Sequence, residues 1–301
     1  MKTYIGLDIG GTKIAGAAFD GGGKELAQVV KNTPETYEAF LETCHVIIKG
    51  LENKAGKPES IGVGVCAPFD QKTGVIKTSA NIPYLSNKPL CKDLEKNIGL
   101  KIVLGNDAAC AALAEAVEGP GKDYSAVLCL ILGTGVGCGY VVNGRTVGGA
   151  NGLCGEVGHL QMPRERDEKR EFRRCGCGGT DCIETYISGP ALARLYKEQT
   201  GNEADAKQIS ALAQKGDAKA LKVLDMYYAL VARAMVVVLH SFDPDIIVVS
   251  GGLNALPGLY EEVTKRWGKY ALAKTPKTKF VPASFGAMAG LRGAALLGKT
   301  S

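Results

Sequence analysis

T-Y-I-G-L-D-I-G-G-T-K-I-A-G-A-A-F, residues 3–19, sets the architecture. An apolar strand over 3–9 runs into the glycine turn G-G-T and returns as a second strand over 14–19, which reads as a β-hairpin with backbone N–H groups at its tip. Residues 126–132 repeat the pattern, followed by G-T-G-V-G and a strand over 140–143. The repeat is one of pattern and not of identity. Between the hairpins the sequence predicts a helix over 37–52, strands over 60–66 and 102–104, and a helix starting after Asp107. The second half adds a long helix over 217–242, a strand over 245–250 and a terminal helix over 286–297. Strands and helices alternate in both halves, so the fold class is α/β. A P-G break within 119–122 divides the chain into a small N-terminal α/β domain, 1–119, and a larger α/β domain, 120–285. The terminal segment 286–301 is expected to cross back and complete the first.

The larger domain carries C-G-C-G-G-T-D-C at 175–182, with G-E-V-G-H ahead of it at 155–159. Three cysteines within eight positions, interleaved with glycine, have the spacing of a structural zinc site, which favours a closed tetrahedron of thiolate and imidazole. Cys175, Cys177 and Cys182 would supply three ligands and His159 or the nearby Cys154 the fourth, leaving no position for a catalytic water. The competing reading packs these cysteines as small apolar residues, as expected of Cys44, Cys66, Cys91, Cys110 and Cys129. Glu156 lies three residues before His159, and Glu184 lies two after Cys182. One metal would therefore tie two carboxylates and an imidazole into a wall suited to a polyol. An imidazole with one nitrogen on a metal keeps the other for an outward hydrogen bond.

A chain of 301 residues buries a substantial core, and its 46% apolar content is ordinary for a globular protein. The formal charge of +5 becomes about +4 with three thiolates on a zinc dication (5 − 3 + 2), too mild and too dispersed to imply a nucleic-acid partner. The run 164–174 is dense in charge but mixed in sign, and reads as a solvated loop. Residues 1–10 read as a strand and not as a secretion signal, and no apolar run approaches the roughly 20 residues that span a bilayer. Ten cysteines in a chain read as unexported point to a reducing compartment, the cytoplasm by default.

Three glycine clusters sit at strand ends. D-I-G-G-T-K, 8–13, offers Gly10 and Gly11 for close backbone approach to phosphate, the Thr12 hydroxyl, the Lys13 cation, and an Asp8 carboxylate able to hold magnesium through water. L-G-T-G-V-G, 132–137, offers Gly133, Thr134, Gly135 and Gly137 in the same way. S-G-G-L, with Gly251 and Gly252, follows the strand 246–249 and is expected to open onto a helix. Each alone reads equally as an ordinary turn; together they point to a nucleotide whose phosphates take one hairpin from each domain. G-N-D-A-A, 105–109, closes another strand: Asn106 can exchange hydrogen bonds with sugar hydroxyls, and Asp107 can accept a hydroxyl proton. The same two residues also read as a helix N-cap before an alanine-rich run. Because the tips at Gly10 and Gly133 are separate in sequence from the metal segment, losing the metal is expected to weaken a sugar far more than a nucleotide.

D-I-G-G-T-K, N-D-A, L-G-T-G-V-G, G-E-V-G-H, C-G-C-G-G-T-D-C-I-E and S-G-G-L occur in the order found in bacterial sugar kinases of the repressor, open-reading-frame and kinase (ROK) family, which the chain resembles over nearly its whole length. The resemblance implies an actin-like ATPase (ribonuclease H-like) fold, with two domains and a cleft between them that closes over a hexose and ATP with magnesium. It implies a homodimer, Asp107 as general base, and Asn81, Asn106, Asp107, Glu156, His159 and Glu184 as sugar ligands. It also implies His159, ahead of Cys154, as the fourth zinc ligand. A-N-I-P followed by K-P-L, I-L-G-T-G-V-G and R-R-C-G-C-G are most similar to the N-acetylglucosamine kinases of the family, with fructokinases, glucokinases and allose kinases as alternatives. Cys138 and Cys154 depart from the residues usual at their positions. Repressors of the family carry a helix-turn-helix domain ahead of the ATP motif, and seven residues precede Asp8, so the expectation is an enzyme acting on the 6-OH of N-acetyl-D-glucosamine. An actin-like filament or chaperone ATPase would have no use for the polyol wall.

Overall fold

The computed structural model of the protein describes residues 2–165, 168–169 and 171–299. Arg166, Asp167 and Arg170 of the mixed-charge run, and Met1, Thr300 and Ser301 of the terminal segments, lie outside the described residues. The chain runs through β1 (Thr3–Ile9), β2 (Lys13–Asp20), β3 (Glu25–Asn32), α1 (Tyr37–Ala55), β4 (Ser60–Val65), α2 (Leu90–Ile98), β5 (Ile102–Asn106) and α3 (Asp107–Val117). There follow β6 (Ala126–Leu132), β7 (Val136–Val142), β8 (Arg145–Thr146), α4 (Glu184–Ile187), α5 (Gly189–Thr200), α6 (Ala206–Gln214) and α7 (Ala218–Phe242). Last come β9 (Ile246–Ser250), α8 (Leu259–Tyr270), β10 (Lys279–Pro282) and α9 (Ala289–Lys299). Two compact units result: Met1–Ser125 with Gly139–Gly155 and Ser284–Ser301, and Ala126–Cys138 with Glu156–Ala283.

The first unit is built on a five-stranded sheet ordered β3-β2-β1-β4-β5. β1 is antiparallel to β2 and parallel to β4, which is parallel to β5. Side chains alternate across a strand, and here the two faces of β1 differ in size. Ile5, Leu7 and Ile9 enter a core with Phe40, Ile47 and Leu51 of α1 and Ile61, Val63 and Val65 of β4. Gly6, on the opposite face, pairs in register with Gly62. That glycine pair is where α9 lies: a Cβ at Gly6 would sit 2.0 Å from the Leu291 carbonyl oxygen, and one at Gly62 would sit 1.7 Å from that of Ala294. Helix backbone thus rests directly on sheet backbone. α9 meets α3 as closely, since a Cβ at Gly293 would fall 1.6 Å from the Cys110 carbonyl oxygen.

The second sheet is ordered β10-β9-β6-β7-β8, so read from β8 it repeats the order of the first. β9 lies parallel to both β6 and β10. The return strand expected from residue 140 starts at Val136, because the small residues of V-G-C-G continue the strand up to the turn. S-G-G-L does not open directly onto a helix; eight residues of turn separate Ser250 from α8, which starts at Leu259. By length and composition α7 alone among the described helices could cross a membrane, contrary to the expectation that no run comes close. Its apolar window is 67% buried within this chain, with Val231, Met235 and Val238 packed in the core.

Adding one methyl group at Gly62 should strain this packing, because the atom it meets is backbone. Overpacking of this kind costs about 1–3 kcal/mol. Gly62→Ala is expected to lower stability by about 2 kcal/mol or more in urea unfolding. Gly21→Ala, whose added methyl meets nothing within 4 Å, should stay within about 0.5 kcal/mol of the parent.

Candidate functional site

In the first unit, residues predicted to act converge on the carboxyl-terminal ends of the parallel strands, where α/β sheets hold ligands. Asp8 stands near the end of β1 and Asn106 closes β5; Cys66, expected only to pack, follows β4 between them. The β1–β2 tip is locked from below: the Gly10 N–H donates to the Lys13 carbonyl at 3.0 Å, and Thr33 Oγ1 donates to the Gly10 carbonyl at 2.6 Å. Gly10 therefore contributes shape rather than a donor. The N–H groups of Gly11 and Thr12 have no acceptor among the described residues, as a phosphate nest requires. Gly11 is held against the loop that carries Asn81, since a Cβ there would meet the Asn81 carbonyl oxygen at 3.0 Å.

Asn106 caps α3, as the N-cap reading expects. Asn106 Oδ1 accepts from the N–H groups of Ala108 at 2.9 Å and Ala109 at 3.3 Å, capping α3. Its carbonyl is thereby used, and only its NH₂ faces remain for a ligand, where both donation and acceptance were expected. Asp107 Oδ1 also accepts from Ala108 N, which fixes the carboxylate at the first turn of α3. Burial, reinforced by the charge of Asp107 and opposed by Lys13, pushes the Asp8 carboxyl up to about 6. The first turn of α9 approaches the same carboxylate, since a Cβ at Gly290 would lie 3.1 Å from Asp8 Oδ2.

Cys66 is not the buried apolar residue its neighbours suggested; it is exposed, and Asn81 Nδ2 donates to its sulfur at 3.7 Å. The protein packed around that sulfur, followed by the charge and hydrogen bond of Asp107, pushes the thiol up to about 12. It is a poor nucleophile there. Cys44 and Cys110 are fully buried, as expected.

In the second unit, the ligand atoms of His159, Cys175, Cys177 and Cys182 all lie within 4.8 Å of one another. Cys175 Sγ is 3.7 Å from His159 Nδ1, and Cys177 Sγ is 3.6 Å from Cys182 Sγ. His159, and not Cys154, joins this group; Cys154 falls in the first unit. The Gly179 N–H leads the influences that lower the Cys177 thiol, while burial, then Cys177 and Cys175, push Cys182 up to about 12. Three sulfurs at this separation cannot all ionise without a cation among them, and the donor set fits zinc.

The wall residues are arranged around this cage. His159 Nε2, the ring nitrogen on the far side from Cys175, is 3.9 Å from Glu156 Oε2. Glu184 opens α4, and its Oε2 accepts from the Val136 N–H at 2.9 Å. The metal segment and the second glycine tip are therefore joined, despite their separation in sequence. Gly189 N donates to the Gly133 carbonyl at 2.7 Å, and a Cβ at Gly158 would lie 1.9 Å from the Val136 carbonyl oxygen. Gly133 N itself donates to Gly135, leaving the N–H groups of Thr134 and Gly135 without an acceptor among the described residues.

Gly133, Thr134 and Gly252 line one cavity of about 430 Å³, with Gly189, Pro190 and Ala193 of α5 opposite. Two of the three glycine clusters thus face the same space, and the N-terminus of a twelve-residue helix adds its positive end. Gly251, at φ +90°, packs on β6, where a Cβ would meet the Leu132 carbonyl oxygen at 2.5 Å. Gly137 has open space around it. The α5 wall was missed from sequence, although S-G-P at 188–190 carries the signal of a helix start: Ser188 caps through Ala191 N, and Pro follows in the first turn.

The chain matches the ROK family over residues 4–301. It is 36% identical over 299 residues to an N-acetyl-D-glucosamine kinase of Escherichia coli O6:H1, covering 98% of each chain. Among solved structures it is similar to a ROK hexokinase from Thermus thermophilus, with a TM-score of 0.85 and 34% identity over 99% of this chain and 98% of that one. It is also similar to a ROK family glucokinase from Streptomyces griseus solved with glucose and AMPPNP, with a TM-score of 0.78 and 28% identity over 99% of this chain and 100% of that one. A matched span that takes in the hairpins, the N-D-A turn and the cysteine run alike leaves one conclusion: the chain belongs to the ROK family and has its α/β, actin-like ATPase fold.

Proposed function

We propose that this chain is an ATP-dependent hexose kinase that transfers the γ-phosphoryl group of ATP to a sugar hydroxyl, with the 6-OH of N-acetyl-D-glucosamine as the preferred acceptor. Family membership and the 36% identity to an N-acetyl-D-glucosamine kinase support the reaction and the sugar. The observation that carries the mechanism is Asp107, a carboxylate fixed at the first turn of α3 beside Asp8 and the phosphate-nest tip.

Phosphoryl transfer passes through a loose transition state, so positioning and charge neutralisation dominate, and a base is needed only as the oxygen attacks. Asp107 takes the proton of the attacking hydroxyl as the new P–O bond forms and ADP leaves. The Asn106 amide, Asn81, Glu156, His159 Nε2 and Glu184 orient the sugar hydroxyls. Gly11, Thr12, Thr134 and Gly135 offer backbone donors to the phosphates, Lys13 offers a cation, and the cavity between Gly252 and α5 takes the rest of the nucleotide. Asp8 would hold Mg²⁺ through water, and that ion, when bound, neutralises charge on the transferring phosphates. A structural Zn²⁺ would take His159 Nδ1 and the three cysteine sulfurs, leaving Nε2 to face Glu156 and the sugar. Residues 1–119 with 286–301 and residues 120–285 are the proposed domains, and the family resemblance supports a cytoplasmic homodimer.

The test is a coupled ADP-release assay with magnesium over N-acetylglucosamine, N-acetylmannosamine, glucose, mannose, fructose and allose. N-acetylglucosamine should give the highest kcat/KM. A higher value for fructose or glucose would overturn the sugar assignment, and no stimulation by any sugar would overturn the kinase. Asp107→Asn should keep the fold and much of its sugar affinity but lose about 10² to 10⁴ in kcat, the usual worth of a general base. Near-normal kcat in a folded Asp107→Asn variant would leave this residue as a helix-start residue alone.

A further inference from the structure

Asp181, inside C-G-G-T-D-C but not one of the four ligands, is buried to 4% exposure and holds a backbone φ of +56°. That left-handed region favours glycine, so a side chain kept there is held by its surroundings. Its carboxylate accepts from Arg164 Nη2 at 2.8 Å, from the Tyr186 hydroxyl at 2.5 Å and from the Arg173 backbone N–H at 3.0 Å. Its own N–H donates to the Arg173 carbonyl at 2.7 Å, and its carbonyl accepts from Met162 N at 2.7 Å. Isolated bridges flank it on both sides, Gln161 with Cys182 and Arg174 with Thr180.

These contacts reach every segment that brings a ligand to the cage. Met162 and Arg164 follow His159, Arg173 precedes Cys175, and Tyr186 lies one helical turn beyond Cys182. The three segments are thus tied to each other through the carboxylate, the backbone N–H and the carbonyl of one residue, independently of any ion. An ionic hydrogen bond from Arg164 and a neutral one from Tyr186 arrive on different oxygens, which fixes the carboxylate plane as well as its position.

We propose that Asp181 is the positioning residue that preorganises the zinc cage, holding His159, Cys175 and Cys182 in ligand geometry before metal enters. The proposal rests on the zinc reading given above. Partners that orient metal ligands are typically worth about 10- to 100-fold in metal affinity. Asp181→Asn removes the charge and keeps the size. Asp181→Gly removes the side chain and suits the backbone angle, so it separates the carboxylate's role from relief of strain.

The experiment is zinc competition against a chromophoric chelator on the full-length protein, with folding of each variant checked by circular dichroism. Asp181→Asn and Asp181→Gly should each bind zinc about 10- to 100-fold more weakly than wild type. Arg164→Ala should lose part of that affinity, and Arg164→Lys should recover some of it. A residue that only stabilises the fold would lower the melting temperature without moving the zinc dissociation constant of the folded protein. If the Asp181 variants do not fold, Arg164→Ala and Tyr186→Phe, each deleting one bond, carry the test. Wild-type zinc affinity in every folded variant would overturn the role of Asp181 alone. A wild type that binds no zinc would overturn the metal reading together with it.

Discussion

The arrangement on which the second unit depends is the convergence of three sulfurs and an imidazole within 4.8 Å. Left to themselves, thiolates at that distance repel, and thiols there make weak hydrogen bonds. A zinc ion would convert the cluster from a liability into a brace. What it would brace lies on both sides. His159 presents its far nitrogen toward Glu156, and Glu184, two residues beyond Cys182, reaches the N–H of Val136 at the root of the second glycine tip. The chain then turns into α5 through Gly189, bonded to Gly133. The cysteine and histidine cluster is therefore bonded through both to the proposed polyol wall and to the second glycine tip, which removes the reason to expect that its loss would spare the nucleotide.

In the first unit the carboxylates of Asp8 and Asp107 stand beside a glycine tip whose Gly11 and Thr12 N–H groups have no acceptor among the described residues. Asp8 is set near the end of β1 on the face that also carries Gly6, where the backbone of α9 lies on the sheet and brings its first turn to Asp8. Burial and the neighbouring Asp107 raise the Asp8 carboxyl, so the ionised form is held at a cost that a cation would offset. Asn106 combines two duties with one side chain, its carbonyl capping α3 and its amide left over for a ligand. The helix-starting reading of that pair is what the structure shows, and it leaves the proposed sugar contact to the Asn106 amide.

Much of this was legible before the coordinates. β1, β6 and β9 were found to within a residue because buried parallel strands are continuous apolar runs closed by glycine, and α7 because its apolar length leaves no other reading. β3 was missed because an exposed edge strand, E-L-A-Q-V-V-K-N, carries polar residues on both faces. Gly6 and Gly62 fall inside predicted strands and drew no reading of their own, and their purpose appears only with α9 laid across them. At the site, residue types announced their chemistry where ligand spacing is short, as in 175–182. Cys66 and Asp181 did not, since nothing local marks a cysteine as exposed beside a carboxylate or an aspartate as the tie between three segments.

One metal cage supporting both the proposed sugar wall and the proposed phosphate tip of the second unit would couple two ligand sites to one ion. That coupling is tested most directly by titration calorimetry of N-acetylglucosamine and of a non-hydrolysable ATP analogue, each on zinc-loaded protein and on protein stripped of zinc but still folded. Both affinities should fall on stripping, each by about tenfold or more, and return when zinc is restored. Unchanged affinity for either ligand in the stripped, folded protein would contradict it.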